Sequence, residues 1–95
     1  YRVDSNRESG HGRYDIQLRP YDKKMPGIII ELKVLKDGIA EACIDTELEV
    51  SAKEALAQIE RRQYVTAMKQ EGITHFFKIG GSFYKKRVKL LSDTE

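Results

Sequence analysis

Two segments that alternate polar and apolar residues place the strongest constraint on the fold of this chain, because they bring opposite charges onto one face of a sheet. Residues 13–19 and 28–33 each follow the period of two that is typical of a β-strand. Asp15 lies on the polar face of the first segment, and Glu31 and Lys33 share the polar face of the second. Both strands are therefore predicted to have one apolar face and one charged face.

The connection between the two segments predicts that they pair as neighbours. Residues 19–27 contain two prolines, a run of charges and a glycine, which is typical of a solvated turn between antiparallel strands. With the turn centred near Lys23 or Lys24, Asp15 falls opposite Glu31 or one residue away from it. Side chains opposite each other on such a pair have Cβ atoms about 4.5–5.5 Å apart.

Two carboxylates at that separation repel each other unless a cation lies between them. A hard divalent cation such as Mg²⁺ takes oxygen ligands from one or two carboxylates and keeps several waters. Lys33, on the same face as Glu31, is then placed to hold a water or a phosphate oxygen. The alternative is a surface Glu–Lys pair with an unrelated aspartate across the strand.

Asp15 followed by Glu31, Leu32 and Lys33 resembles the D…(D/E)xK signature of the PD-(D/E)XK nuclease superfamily. The surrounding blocks extend this resemblance over nearly the whole chain. They resemble the nuclease-like domain found C-terminal to AAA-type ATPase domains in bacterial proteins, and they comprise residues 5–15, 27–34 and 55–64.

The resemblance implies an α/β (α+β) fold of the restriction-endonuclease-like type, with a mixed central sheet and the first core helix missing. It also implies metal-dependent hydrolysis of DNA phosphodiester bonds, with Mg²⁺ or Mn²⁺ as cofactor. The implied site comprises Asp15 and Glu31 as metal ligands, the backbone carbonyl of Leu32 as a further ligand, Lys33 as the group that orients water and stabilises charge, and Gln58 as an auxiliary residue.

Two of the candidate residues can be interpreted either as site residues or as ordinary solvated side chains. Gln58 lies about 100° from Ile59 on the helical wheel, at the border of the buried stripe, where it is either a site residue or a solvated glutamine. Glu8 precedes the Asp15 strand in a predicted loop. It either substitutes for the acidic residue of the missing helix, as a metal ligand, or is simply solvated and ion-paired.

Basic residues gather in the last third of the chain. Residues 61–95 hold eight basic and three acidic side chains, whereas residues 36–60 hold two basic and seven acidic ones. Such a cluster can bind a phosphate backbone, although lysines also protect exposed sheet edges from aggregation. The candidates for nucleic-acid contact are His11, Arg13, Lys85, Lys86 and Arg87.

Capping and turn-forming residues, together with the periodicity of apolar residues, predict the element order βββαββ. Ser51 and Glu54 form a capping box that predicts a helix start, and Gly72 predicts its end. Gly80 and Gly81 predict a two-residue hairpin turn. The predicted strands are residues 1–6, 13–19, 27–35, 73–79 and 82–91, with a loop over 36–48 and an inner helix stripe of Ala52, Ala55, Leu56, Ile59, Gln63, Thr66 and Ala67.

The chain of 95 residues is long enough for one modest core, so we expect a single domain over residues 1–95. It has no apolar run long enough for a membrane span, and Cys43 is its only cysteine, so we expect a cytoplasmic protein without disulfides. Starting at Tyr1 inside a predicted strand, it reads as a C-terminal fragment of a longer protein with an ATPase domain upstream. DNA is the expected partner, RNA a second candidate, and self-association into a homodimer is compatible with the sequence.

A second hypothesis of function comes from a different class. The same scaffold can serve as a catalytically inactive module for nucleic-acid binding or self-association. A shift of the melting temperature by divalent metal and nicking of a plasmid would distinguish the nuclease from this module.

Overall fold

The computed structural model describes residues 1–8 and 12–94, with the backbone alone for residues 6–8. A five-stranded sheet forms one layer and two helices form the other. The elements, in chain order, are β1 (Arg2–Glu8), β2 (Arg13–Arg19), β3 (Gly27–Val34), a 3-10 turn (Glu41–Cys43), α1 (Ile44–Arg61), α2 (Tyr64–Gln70), β4 (Phe76–Tyr84) and β5 (Arg87–Thr94).

The strands lie in the sheet in the order β1-β2-β3-β4-β5. Three of the four pairings are antiparallel, and β3 pairs with β4 in parallel. A parallel pair needs a crossover connection, which the two helices provide. The mixed sheet confirms the predicted fold class, although two helices stand where the sequence predicts one, and the described chain opens with a strand.

The helices cover the sheet face that carries Glu31. Ile29, on that face of β3, is fully buried in a cluster with Ile59 of α1 and Met68 of α2. The opposite, apolar face of the sheet has exposed members in the described residues, including Phe77 and Leu90. The charged face of the sequence pattern is thus the one that packs against the helices.

Helix α1 starts seven residues before the predicted capping box, so that prediction is wrong. Ser51 lies buried inside the helix, and Cys43 is the N-cap residue without a side-chain capping bond. Ile44 and Leu48 extend the inner stripe upstream and pack with Tyr84. Burying these two side chains contributes roughly 1.5–3 kcal/mol each, more than a serine cap provides.

The predicted single helix up to Gly72 is interrupted. Gln63 has the left-handed backbone angles φ 57° and ψ 30°, which end α1 and turn the chain into α2. Val65 and Met68 are buried after this turn, whereas the predicted inner residues Gln63, Thr66 and Ala67 are exposed. The predicted stop is confirmed, because Gly72 has a φ of 94° just after α2.

The predicted hairpin turn at Gly80 and Gly81 is also wrong, because β4 runs straight through both glycines. A Cβ atom on Gly80 would lie 2.5 Å from the backbone nitrogen of Leu56 and 2.6 Å from the carbonyl oxygen of Ala52. The glycine therefore lets α1 approach the sheet closely. The turn between β4 and β5 is formed instead by Lys85, at φ 54°, and Lys86.

Candidate active site

Asp15 and Glu31 lie directly opposite each other on β2 and β3, which is one of the two registers that the sequence left open. Both carboxylates are on the helix-covered face and are almost completely buried, with 3% and 1% of their surfaces exposed. The next pair on the same face joins Arg13 and Lys33. The sheet register thus brings two acids and two bases together in adjacent positions.

Three cationic contacts balance the buried carboxylates. The Nη1 atom of Arg62 lies 3.7 Å from Oδ2 of Asp15, and its Nη2 atom lies 4.0 Å from Oε1 of Glu31. The Nη2 atom of Arg13 lies 3.8 Å from the same Oε1 atom. Buried carboxylates are costly unless they are paired, so these arginines explain how the fold tolerates them.

Lys33 contacts α1 rather than the carboxylate pair. Its Nζ atom donates a hydrogen bond of 3.1 Å to Oε2 of Glu54. Glu54 is the residue that the sequence assigned to the capping box, and here its role is an ion pair. Because Glu54 is mostly exposed, solvent screens this pair.

Tyr64 completes the contacts around Asp15. Its hydroxyl group is hydrogen-bonded with Asp15 and with Arg62. Burial raises the pKa of Tyr64, the Arg62 guanidinium lowers it and the Asp15 carboxylate raises it, so that the pKa lies above its ordinary value of 10.0. The phenol therefore stays protonated at neutral pH and donates to the carboxylate.

The auxiliary candidate Gln58 has a different contact from the one expected. Its Oε1 atom accepts hydrogen bonds from Nε and Nη2 of Arg61, at 3.2 and 2.8 Å. Gln58 nevertheless lies between Glu54 and Arg62 in a row at four-residue spacing on α1. Since Glu54 reaches Lys33 and Arg62 reaches the carboxylates, this row of α1 faces the site.

Two candidates fall partly or wholly outside the described side chains. Glu8 is the last residue of β1, opposite Arg13, and so belongs to a strand rather than to the predicted loop. Its proposed role as a ligand concerns a side chain outside the described part. His11 lies outside the described residues.

The basic candidates lie at the same end of the sheet as Lys33. Lys85 and Lys86 follow the end of β4, which runs parallel to β3 and reaches Phe83 opposite Val34. Both lysines are exposed. Arg87 is hydrogen-bonded to Glu41 and lies 3.8 Å from Asp45. The hydrogen bond to Glu41 and the negative charge of Glu41 raise the pKa of Arg87. The charge of Arg87 is therefore already balanced by acidic residues of the domain.

The sequence motifs gave no role in the site to three residues that contact it, namely Glu54, Arg62 and Tyr64. Tyr64 fell within a matched block but received no role, and Arg62 received none either. The four-residue spacing of Glu54, Gln58 and Arg62 was a usable signal, because it places three polar side chains on one side of a helix.

A family model described as the PD-(D/E)XK nuclease superfamily matches residues 1–92. The chain belongs to the PD-(D/E)XK nuclease superfamily. This membership indicates a nuclease-type domain with a nucleic-acid substrate, in a superfamily that generally uses divalent metals. Comparisons with curated proteins and with solved structures find no match.

The donor set of this PD-(D/E)XK domain fits a hard divalent cation. Two carboxylates on facing strand positions offer the oxygen ligands that Mg²⁺ and Mn²⁺ prefer. Among the side chains of residues 1–5 and 12–94, no group of three aspartate, glutamate, histidine or cysteine residues is arranged to hold a metal. A two-carboxylate site suits Mg²⁺, which keeps several waters. In the same described ranges, no helix has the length and apolar character needed to cross a membrane.

Proposed function

We propose that this domain hydrolyses phosphodiester bonds in DNA, with Mg²⁺ or Mn²⁺ held by Asp15 and Glu31. The observation that carries the proposal is the direct cross-strand pairing of these two buried carboxylates, with Lys33 at the next position of the same face. The backbone carbonyl of Leu32 is the proposed further ligand. A cation held there would supply Lewis-acid stabilisation of charge on the phosphate.

Lys33 has the proposed role of orienting the attacking water and stabilising negative charge on the phosphate. Its hydrogen bond to Glu54 holds the ammonium group against α1, on the sheet face that carries the carboxylate pair. Because Glu54 is exposed, a phosphate group can compete for the ammonium at little cost. A fixed positive charge at the point where charge develops is an effective form of transition-state stabilisation.

Helix α1 has the proposed role of covering the carboxylate pair on the sheet face that carries Glu31. Gln58, between the two α1 residues that contact the site, is the proposed auxiliary residue, with its amide available to a water or a phosphate. The exposed Lys85 and Lys86 hairpin would bind the DNA backbone through phosphate neutralisation and counterion release.

Cleavage of a supercoiled plasmid tests the proposal directly. The protein is incubated with plasmid in Mg²⁺, in Mn²⁺ and in EDTA, without ATP, and nicked product is measured by gel electrophoresis. We expect metal-dependent nicking by the wild type and none by Asp15→Asn or Glu31→Gln.

The matched control is Glu49→Gln, which removes an exposed carboxylate of α1 that pairs only loosely with Lys53, at 3.9 Å. This variant should cleave like the wild type. Plasmid binding without nicking by the wild type, in either metal, would instead favour the catalytically inactive module. Equal nicking by wild type and Glu31→Gln would contradict the site.

A further inference from the structure

Arg62 occupies the position between the two carboxylates that a bound cation would need. One of its terminal nitrogens lies 3.7 Å from Asp15 and the other 4.0 Å from Glu31, so a single guanidinium spans both acids. Arg13 adds a cationic contact to Glu31, at 3.8 Å. Arg62 thus bridges the pair.

The backbone holds Arg62 in this place. Arg62 is the C-cap residue of α1, and Gln63 follows it in the left-handed region at φ 57°. A non-glycine residue with positive φ is uncommon and is kept only where its surroundings require it. The turn directs Tyr64, the first residue of α2, to the same site, where its hydroxyl is hydrogen-bonded with Asp15 and Arg62. The end of α1 and the turn after it thus bring Arg62 and Tyr64 to the same site.

A guanidinium and a divalent cation both need oxygens of these two carboxylates, and Arg62 contacts one oxygen of each, Oδ2 of Asp15 and Oε1 of Glu31. Without metal, two nearly buried carboxylates on facing positions repel, and the positive charge of Arg62 relieves that repulsion. A metal ion held by the same two carboxylates would lie close to the guanidinium, and the two positive charges would repel each other. The two cations would thus compete for one pair of carboxylates.

We propose that Arg62 is a built-in competitor for the divalent cation: it stabilises the metal-free site and sets the metal affinity by having to be displaced. The proposal rests on the metal site proposed above. Arg62 acts through Asp15 and Glu31 and is a positioning residue in this scheme. The domain consequently stays folded without metal and binds metal more weakly than the bare carboxylate pair would.

Calorimetric titration of the protein with Mn²⁺, in the absence of DNA, tests the competition. Arg62→Met keeps most of the side-chain volume and removes the charge. We expect Arg62→Met to bind Mn²⁺ at least about tenfold more tightly than the wild type, because a positive charge within about 4 Å of the ligands is gone. In EDTA the same variant should melt at a lower temperature than the wild type, and Mn²⁺ should restore it.

Arg2→Met is the matched control, because it also removes one arginine charge from the domain. Arg2 is on β1 and contacts Asp4 and Glu71. Arg2 lies opposite Arg19 of β2. Arg19 is four residues from Asp15 along that strand, a distance of about 13 Å. The Mn²⁺ affinity of Arg2→Met should equal that of the wild type. A tenfold gain in this variant too would assign the effect to net charge and overturn the proposal.

The remaining outcomes separate the two proposals. If the wild type binds Mn²⁺ and Arg62→Met binds it equally or more weakly, the competitor role is wrong and the metal site stands. If neither protein binds Mn²⁺, the proposed metal site itself is wrong. Should Arg62→Met fail to fold, the Nε–Hε nuclear magnetic resonance signal of Arg62 is followed in the wild type during a Mg²⁺ titration. The signal should shift and saturate with the metal, and a constant signal would overturn the proposal.

Discussion

Replacing Gly80 with alanine tests whether the close approach of α1 to the sheet positions the site. The added Cβ atom would lie 2.5 Å from the backbone nitrogen of Leu56 and 2.6 Å from the carbonyl oxygen of Ala52. Ordinary contacts of a Cβ atom are 3.4–4 Å. Since both clashing atoms belong to the helix backbone, no side-chain rotation relieves them, and α1 must move outward by about 1 Å.

The expected loss of stability follows from two opposing effects. Overpacking a close contact costs about 1–3 kcal/mol, and backbone atoms place this clash at the top of that range. The alanine recovers about 0.4–1 kcal/mol by restricting the unfolded chain. The net loss is then about 2 kcal/mol, which lowers the melting temperature of a domain of this size by about 8–16 °C. Circular dichroism melts measure this shift.

Gly81→Ala is the matched control on the neighbouring residue. Its Cβ atom would meet the Cδ2 atoms of Leu32 and Leu90, each at 2.8 Å, and both are flexible side-chain ends that can rotate away. We expect a melting temperature within about 4 °C of the wild type. Equal melting temperatures for the two alanine variants would refute the claim that helix backbone contact requires Gly80.

The Gly80→Ala variant also connects packing to function. Helix α1 carries Glu54, whose hydrogen bond of 3.1 Å holds Lys33. An outward shift of about 1 Å breaks this geometry, and a misplacement of that size costs about 10²-fold in rate. Cleavage should therefore fall more in Gly80→Ala than in Gly81→Ala, at a temperature where both are folded.

Three further predictions concern single side chains. Asp15→Asn or Glu31→Gln should abolish the rise in melting temperature caused by Mg²⁺ or Mn²⁺, measured with and without metal, and an unchanged rise in both would remove the site assignment. Lys33→Ala should keep that rise but cut DNA cleavage about 10²-fold, and Lys33→Arg should rescue it poorly; near-wild-type cleavage by Lys33→Ala would reduce the lysine to a surface charge. The hydrogen bond from Arg19 lowers the pKa of Glu71 below 4.5, so its contribution to stability is present above that pH and is lost as the pH falls through the lowered pKa. The difference in melting temperature between wild type and Glu71→Gln should therefore shrink on acidification below about pH 4.5, and a constant difference would contradict this.

Strand positions and the carboxylate pair were predictable because their signals are local. The period of two and the proline-containing turn located β2 as Arg13–Arg19, which the structure reproduces. The same turn left two registers, and the structure has the one that places Asp15 opposite Glu31. In an antiparallel pair, a connection of known length leaves few registers, and a slip of one residue would move the charges to the other face.

The helix start and the last hairpin were not predictable from local signals, because tertiary contacts decide them. A serine followed three residues later by a glutamate is typical of a helix start, but burial of Ile44 and Leu48 extends α1 beyond Ser51. Two successive glycines are typical of a turn, but Gly80 is needed for the passage of α1 over β4. Neither requirement can be read from neighbouring residues.

The contact of Tyr64 with the site was hidden for another reason. It depends on the left-handed conformation of Gln63, and glutamine carries no preference for that region. A continuous helix up to Gly72 would have placed Gln63, Thr66 and Ala67 inward. The break instead buries Val65 and Met68 and brings Tyr64 to Asp15 and Arg62.

Charge balance in the described site limits how it can bind metal and phosphate. Three acidic side chains face three basic ones, so the cluster carries no net formal charge, and its members are Asp15, Glu31 and Glu54 with Arg13, Lys33 and Arg62. A divalent cation alone would leave an excess of two positive charges in a largely buried place, which is costly. A phosphodiester that arrives with the metal offsets part of that excess, and displacement of Arg62 offsets more. The proposed site would therefore bind metal more tightly when a phosphodiester arrives with it than it binds metal alone.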